Sequence, residues 1–580
     1  MSELDPITLE VIRYGLQAIP DEIETDITRT AYSPLVYEYK DYAIGLLDAD
    51  GRLIAMSRGG IPLFLANVFG LAVADGLAIY GRDNLLPGDA VISNHAPTFG
   101  QHLNNVSMYM PVHADGELAG FVAVLVHWID VGGRYVGSSA SNDTTDIFGE
   151  GIQFRTVKLR SRGEPVPEIY RMIECNTRFP EMLLGDVAAQ LAACMKGCGL
   201  LAGIYARHGL PAVRAAIETV WRQSAERARA AVRAIPDGTY HARSFLDDDG
   251  VDLDRIVDIP VTVRVDGERF VIDFSQVSPQ LRGPFNSGEF GGGVTAARLA
   301  FKYLTTPDEP TNEASFAPLE VVLPPGTFLS AKGTAALARY STPLPTVIDT
   351  VIRAMQDAMP ERVAAGHHGQ AGSHRFHGVR PDGRLFSHLD TAHGGWGASD
   401  GRDGTGPFKT LGHGDTRDVP VESQEALYPV RVDLIRFLPD SGGAGTFRGG
   451  LGLEKVYTIL GPCKLTVTFI RHGCPAWGLR GGGDGSPAYV EITRVGQPTR
   501  RLWKVSDTPL DTGDEVVICT GGGGGYGSPA GRDPARVAED VRCGYVSPEA
   551  AQTAYAVVLD ATGDPDAAAT AGQRQRGGEP

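Results

Sequence analysis

The sequence predicts a large α+β protein of several domains with mixed sheets, a helical segment near 180–235 and a strand-rich C-terminal half. Three observations lead there. A chain of 580 residues exceeds what one hydrophobic core usually supports. Between Pro180 and Ile235 it turns to long Ala, Leu and Arg runs with helical character. Beyond Gly238 the apolar runs become short and turn-bounded, as strands are. Composition agrees with a globular protein: 42% of residues are hydrophobic and 21% charged. The 73 glycines, well above ordinary usage, predict many tight turns.

Taken in order, Asp5 and Pro6 followed by Ile7, Leu9, Ile12 and Leu16 read as an N-cap, a first-turn proline and an apolar helical face. Pro20 is expected to bend or end that helix, with a second helical piece over 22–31. Alternation over 42–47, the turn 48–51 and the apolar run 52–55 make a hairpin. Further strands are expected at 89–92, 107–112 and 118–126, then at 259–265, 269–274, 430–437, 453–460 and 465–471. Helices near 295–304 and 346–359 interrupt the second half. The last ordered helix is expected at 534–542. The implied domains are 1–235 (α/β with the helical block), 236–360 (α/β), 361–532 (strand- and glycine-rich) and 533–562 (helical). Residues 563–580 lack a core pattern and are expected to be disordered.

The net charge of -17, without any run of Lys and Arg, argues against nucleic-acid or anionic-membrane partners, because phosphate binding needs clustered cations. The acidic N-terminus resembles no secretion signal, and the longest apolar stretch, 121–126, has the length of a buried strand rather than a membrane span. A cytoplasmic protein is expected. Seven cysteines without a C-x-x-C pair suit reduced thiols.

Two segments bring metal-compatible groups to strand ends: Ser93-Asn-His95 through His102-Leu-Asn-Asn105, and His127-Trp-Ile-Asp130-Val-Gly-Gly133. Imidazole nitrogens with carboxylate or amide oxygens suit Mn, Fe or Zn; core hydrogen bonding by the same histidines is the competing reading. Seven of the fourteen histidines fall between His367 and His413. If 374–377 is a strand, His374 and His377 point to opposite faces whereas His388 and Asp390 share one, so these groups do not make one site, although some are candidates to line a pocket. The G-x-S-x-G match at 397–401 lacks the following helix of a nucleophile elbow. The glycine run 521–525 is followed by Ser528-Pro529, which blocks a dinucleotide-binding helix and favours close backbone packing. No P-loop motif occurs.

These residues and a series of ordered blocks resemble the B-type subunits of hydantoinases, the matching half of oxoprolinase, and the corresponding acetone and acetophenone carboxylase subunits. The blocks lie at 5–12, 29–33, 48–55, 87–89 and 130–133, then at 312–313, 420–422, 428–429, 439–445, 448–452 and 521–527. The resemblance spans about Asp5 to Leu559. It implies a partnered enzyme: an A-type subunit uses ATP to phosphorylate an amide or carbonyl oxygen, and the B-type chain supports hydrolysis or carboxylation of that species within a hetero-oligomer. His102, His127 and Asp130 match catalytic and metal-binding positions of the family, with His95 as a further ligand. Asn105 stands where the family usually has Asp, Trp128 replaces a second His, and His95 replaces an Asp. A neutral amide in place of a carboxylate should weaken a divalent metal. Asn105 and Trp128 are then expected at the substrate, Trp128 as an aromatic wall suited to a flat ketone. The leading activity is ATP-dependent hydrolysis of a cyclic amide, a hydantoin or lactam. Ketone carboxylation is the runner-up, and a non-catalytic assembly subunit the third reading.

Overall fold

The computed structural model describes residues 4–576, apart from Ala140, Ala371 and Ala392. The first helix, α1 (Pro6–Thr30), is capped by Asp5, which accepts from the backbone N–H groups of Ile7 and Thr8. It runs unbroken through Pro20. The buried stripe Ile12, Leu16, Ile19, Ile23 and Ile27 continues across the proline, so packing of one apolar face outweighs the hydrogen bond that Pro20 cannot make.

An antiparallel sheet follows, built from β1 (Tyr42–Asp48), β2 (Leu53–Met56), β3 (Ala90–Ser93), β4 (Asn105–Ala114), β5 (Glu117–His127), β6 (Val157–Ser161) and β7 (Glu164–Pro165). Its spatial order is β2-β1-β5-β4-β3-β6-β7. α1 and the helix Pro180–His208 cover one face, and the helix Phe69–Tyr80 packs on the other, where Gly76 leaves room for the Tyr109 hydroxyl. Because both faces are covered, β1, β4 and β5 are nearly continuous apolar runs. Pro180–His208 has the length and hydropathy of a membrane span, yet here it is a sheet-packing helix: Gln190 donates to the carbonyls of Val106 and Val124, and Gly197 lies against Ile23 and Val122. With Leu210–Arg233 it accounts for the expected helical block.

A second sheet, ordered β11-β10-β9-β8, is formed by β8 (Gly238–Leu246), β9 (Val257–Asp266), β10 (Arg269–Asp273) and β11 (Leu319–Val322), with the helices Gly293–Thr305 and Leu344–Ala354 beside it. The C-terminal half adds β12 (Ser373–Val379), β13 (Leu385–Thr391), β14 (Val430–Phe437), β15 (Leu453–Ile459), β16 (Cys463–Thr468), β17 (Tyr489–Thr493), β18 (Arg500–Leu502), β19 (Lys504–Leu510) and β20 (Glu515–Cys519). They form two antiparallel sheets, β13-β12-β16-β19 and β14-β15-β20-β17-β18.

Between these sheets runs a bundle of extended glycine-rich segments. Residues 521–525 exchange backbone hydrogen bonds with Gly366, Gly395, Ala398, Gly443, Gly450, Leu479, Gly483 and Ser486. None of these five glycines has a positive φ. Glycine is required by approach: a Cβ on Gly522 would lie 1.7 Å from the Ser441 oxygen, and one on Gly523 2.1 Å from that of Trp396. Close backbone packing is therefore the role of the run.

The C-terminus departs from expectation. After Pro534–Arg542 come two more helices, Pro548–Thr553 and Ala567–Arg576. The latter falls in the segment expected to be disordered, of which residues 577–580 lie outside the described residues. Asp566 caps it by accepting from Ala569 N–H, and polar groups dock it: Thr570 accepts from Val558 N–H and Arg574 donates to the Arg532 carbonyl. An apolar stripe is what the sequence lacks, and none is used.

Candidate active site

Three strand ends of the first sheet bring the site together. Asn105 opens β4 and pairs with His127, the last residue of β5. One step further along the register, Tyr42 pairs with Val126, so Asp41 flanks His127, whose N–H donates to the Asp41 carbonyl at 3.1 Å. Asp41, His127 and Asn105 thus form a row across β1, β5 and β4. The preceding turn adds His102, whose Nε2 lies 3.0 Å from Asn105 Oδ1. The rings of His102 and His127 meet edge to face at 4.8 Å, and Tyr340, from a distant loop, lies 4.9 Å from His102. Asn105 donates to Gln101 and to the Tyr340 hydroxyl, each at 2.9 Å. This network turns the Asn105 oxygen toward His102, so His102 carries its proton on Nε2.

The turn is held by amides. Asn94 donates to the Leu103 carbonyl and Asn104 to that of Trp128. Gly100, at φ 66°, lies against the backbone of Gly288, where a Cβ would come within 2.5 Å. His127, Asn105 and Tyr340 are buried, and His102 is half-buried.

Burial sets the protonation states. Desolvation lowers His102 to about 4, opposed by its hydrogen bond to Asn105. His127 is held well below the usual imidazole range, chiefly by burial and then by His102 and Arg375. Both imidazoles are neutral at physiological pH. Desolvation raises the Asp41 carboxyl to about 7. Nδ1 of His127 is buried without a hydrogen-bond partner. A neutral imidazole acceptor beside a carboxyl that titrates near neutrality is acid–base equipment.

The other sequence candidates are elsewhere, and three expectations are corrected. Asp130 does not join the two histidines: its carboxylate is consumed by Arg178 at 2.8 Å, by the N–H groups of Gly137 and Arg178, and by Ser138 and Thr177. Trp128 is no substrate wall. As the neighbour of His127 it turns to the opposite side, where it is 1% exposed, packs on Phe154 and donates to Gln190. His95 begins the short helix Ala96–Phe99 and bonds Thr98 at 2.8 Å.

The later histidines are dispersed as their strand positions imply. His367 meets Asp349, His368 the Phe408 carbonyl, His374 the Tyr457 hydroxyl and His377 Asp507. His388 stacks on Tyr428, and His393 pairs with Asp418. Asp390 lies buried between Lys409 and Lys455. His413 stacks on Phe64, which in turn packs on Tyr340. Asp41, Tyr340 and the buried arginines Arg339 and Arg375 were not among the sequence candidates; only Asp41 left a signal, as the last charged residue before a buried strand.

Among the described residues no group of three or more His, Cys, Asp or Glu is placed to hold a metal ion. Two imidazoles and a neutral amide converge, and the carboxylate expected of Asp130 is occupied by Arg178. The donor set does not fit a dication as the chain stands. A surface cleft of about 940 Å³ lined by Asp48, Arg52, Glu117, Arg214 and Trp221 lies at the far end of β1, roughly 20 Å from Asp41 by strand rise; it is not part of this site.

The model of the family described as hydantoinase B/oxoprolinase matches residues 5–529. The chain belongs to that family. This family member is 28% identical to the B-type chain of a putative D-/L-hydantoinase of Pseudomonas sp. strain NS671, over 96% of each chain. It is 30% identical to the beta chain of the caprolactamase of Pseudomonas jessenii, covering 99% of this chain and 100% of that one. The crystal structure of the ATP-dependent caprolactamase from Pseudomonas jessenii superposes with a TM-score of 0.90 at 28% identity, over 99% of this chain and all of that one. A nucleotide-free acetone carboxylase structure gives a TM-score of 0.90 at 20% identity, over 99% of this chain and 83% of that one, a likeness of fold.

Proposed function

We propose that this chain is the B-type catalytic subunit of a cytoplasmic, ATP-dependent cyclic amide hydrolase acting on a hydantoin or lactam, assembled with an A-type partner that phosphorylates the substrate. The observation that carries the reading is the buried convergence of His102, His127, Asn105 and Tyr340 beside Asp41. The caprolactamase likeness over the whole chain supports the substrate class, and the relatives' names, which make each of them one subunit of an enzyme, support the partner. In this reading ATP is used by that partner, as the family resemblance implies, and a sequence without a P-loop motif fits that division.

In this reading, phosphorylation of the amide oxygen makes the ring carbon electrophilic. A water bonded to the free Nδ1 of His127 adds to that carbon while Asp41 takes its proton. Asp41 then returns that proton to the ring nitrogen, and as the C–N bond breaks the added hydroxyl becomes the acyl carbonyl and gives its proton to Asp41. The acyl phosphate left behind is hydrolysed by a second water, releasing phosphate. Asn105 and Tyr340 hold His102 in one tautomer, with its Nε2–H donated to the Asn105 oxygen.

The experiment is reconstitution with an A-type partner. ATP-dependent ring opening without bicarbonate, lost in His102→Ala and His127→Ala, is expected. Bicarbonate-dependent consumption of a ketone instead would establish the carboxylase, which loses the aromatic wall at Trp128 that favoured it. Full turnover in both alanine variants would make the chain a non-catalytic assembly subunit.

A further inference from the structure

Two arginines buried close to this site lack a negative partner. Arg339 adjoins Tyr340 in sequence, and Arg375 lies on β12; they are 7% and 3% exposed. Each guanidinium carries five N–H donors, yet among the described residues the two groups make three hydrogen bonds between them: Arg339 to the Ser141 carbonyl and the Ser373 hydroxyl, and Arg375 to the Val136 carbonyl. Nε of Arg375 is buried without a partner. Gly137 makes the room for this side chain, since a Cβ there would fall 1.5 Å from Nη1.

No carboxylate of the described residues lies within ion-pair distance of either arginine, whereas the neighbouring acids are engaged elsewhere. Asp130 is taken by Arg178. Asp507 is shared by His377 and Lys464. Glu150, which accepts from the N–H groups of Leu337 and Ala338, is raised by burial to about 8 and is largely uncharged at neutral pH. Tyr340, which follows Arg339, packs edge to face on His102 with ring centroids 4.9 Å apart. Arg375 feels Asp130 and Asp507 only beyond ion-pair distance, and two like charges buried without a carboxylate in contact are costly unless an anion completes them; a planar fork of N–H donors matches the oxygens of a phosphoryl group.

We propose that Arg339 and Arg375 form an oxyanion subsite beside His102 and His127 that receives the phosphoryl group of the activated substrate and later the released phosphate. The substrate identity in this inference rests on the function proposed above, but the anion site itself does not.

The test uses the full chain and inorganic phosphate, with chloride at matched ionic strength and acetate as a carboxylate control. Binding is read by calorimetry and by the rise of the melting temperature with ligand. Saturable phosphate binding that exceeds acetate binding is expected, weakened at least roughly tenfold in Arg375→Gln and Arg339→Gln. Should Arg375→Gln not fold, Arg375→Lys retains the charge but loses the fork, and a weakening of at least about threefold is expected. Absence of saturable binding by the parent chain, equal binding of acetate, or unchanged affinity in the arginine variants would overturn the proposal. Arginine-dependent phosphate binding in a chain whose complex opens no cyclic amide would sink the hydrolase reading and leave this site standing. Ring opening without such binding would do the reverse.

Discussion

Glu150→Gln tests how burial controls the loop that carries Arg339 and Tyr340. Glu150 is 1% exposed, and its Oε1 accepts from Leu337 and Ala338 at 2.6 and 2.8 Å. Oε2 is buried with no partner. Desolvation raises its pKa from 4.5 to about 8, against the two backbone bonds. The sign follows from linkage: a carboxyl raised on folding binds its proton more tightly in the folded state, so its contribution is fully present below pH 4.5 and is lost as pH rises toward 8. At about 1.4 kcal/mol per pH unit, the ceiling on that loss is about 5 kcal/mol. Glutamine keeps both backbone bonds but places an amide nitrogen where Oε2 finds nothing, a cost of about 1–3 kcal/mol. The expected result is a variant less stable than the parent by about 1–3 kcal/mol at pH 4.5 and more stable by on the order of 2 kcal/mol at pH 8. Calorimetric melting across this range reads it. A difference that does not change with pH, or a parent that gains on the variant as pH rises, would show that desolvation does not govern this carboxyl.

Three further outcomes follow from the same geometry. Asn105→Asp places a carboxylate against His102 and should raise affinity for Mn²⁺ or Zn²⁺ by roughly tenfold or more in a chelator competition; unchanged affinity would show that the amide is not what weakens the site. Gly523→Ala pushes a methyl group to 2.1 Å from the Trp396 carbonyl oxygen and should cost on the order of 3 kcal/mol or more; a parental melting temperature would contradict close packing as the reason for the glycine. Lys409→Met removes the cation that donates to Asp418 and to the Thr391 carbonyl, each at 2.6 Å, beside buried Asp390. Its cost is expected at about 3–5 kcal/mol, partly recovered when Asp418→Asn is added; additive losses in that double-mutant cycle would rule out direct coupling.

Much of the fold was legible because it rests on local pattern. The hairpin of β1 and β2, the long strands β4 and β5, the helical block after Pro180 and the opposed faces of His374 and His377 all follow from periods of 2.0 and 3.6. The site was legible only where its residues share a local segment. His102, Asn105 and His127 stood out by type and spacing. Asp41 did not, since it joins His127 only through the β1–β5 register, and Tyr340, Arg339 and Arg375 arrive from loops and strands hundreds of residues away. Asp130 and Trp128 misled for definite reasons. Asp130 lies past the end of β5 and closes the following loop through Arg178, while Trp128 alternates away from its neighbour into the helix-covered side. The glycine bundle left a compositional trace, but its geometry belongs to pairs of segments and no single window shows it.

Whether His102 and His127 act on a substrate activated by an ATP-using partner is decided by single-turnover ring opening of a hydantoin or lactam in the reconstituted complex. Product is followed by mass, and phosphate release in parallel. Turnover is expected only when this chain, the A-type partner and ATP are all present, with a loss of roughly 10³-fold or more in His102→Ala and His127→Ala. Turnover by the isolated chain at the rate of the complex, or turnover retained in both variants, would contradict this.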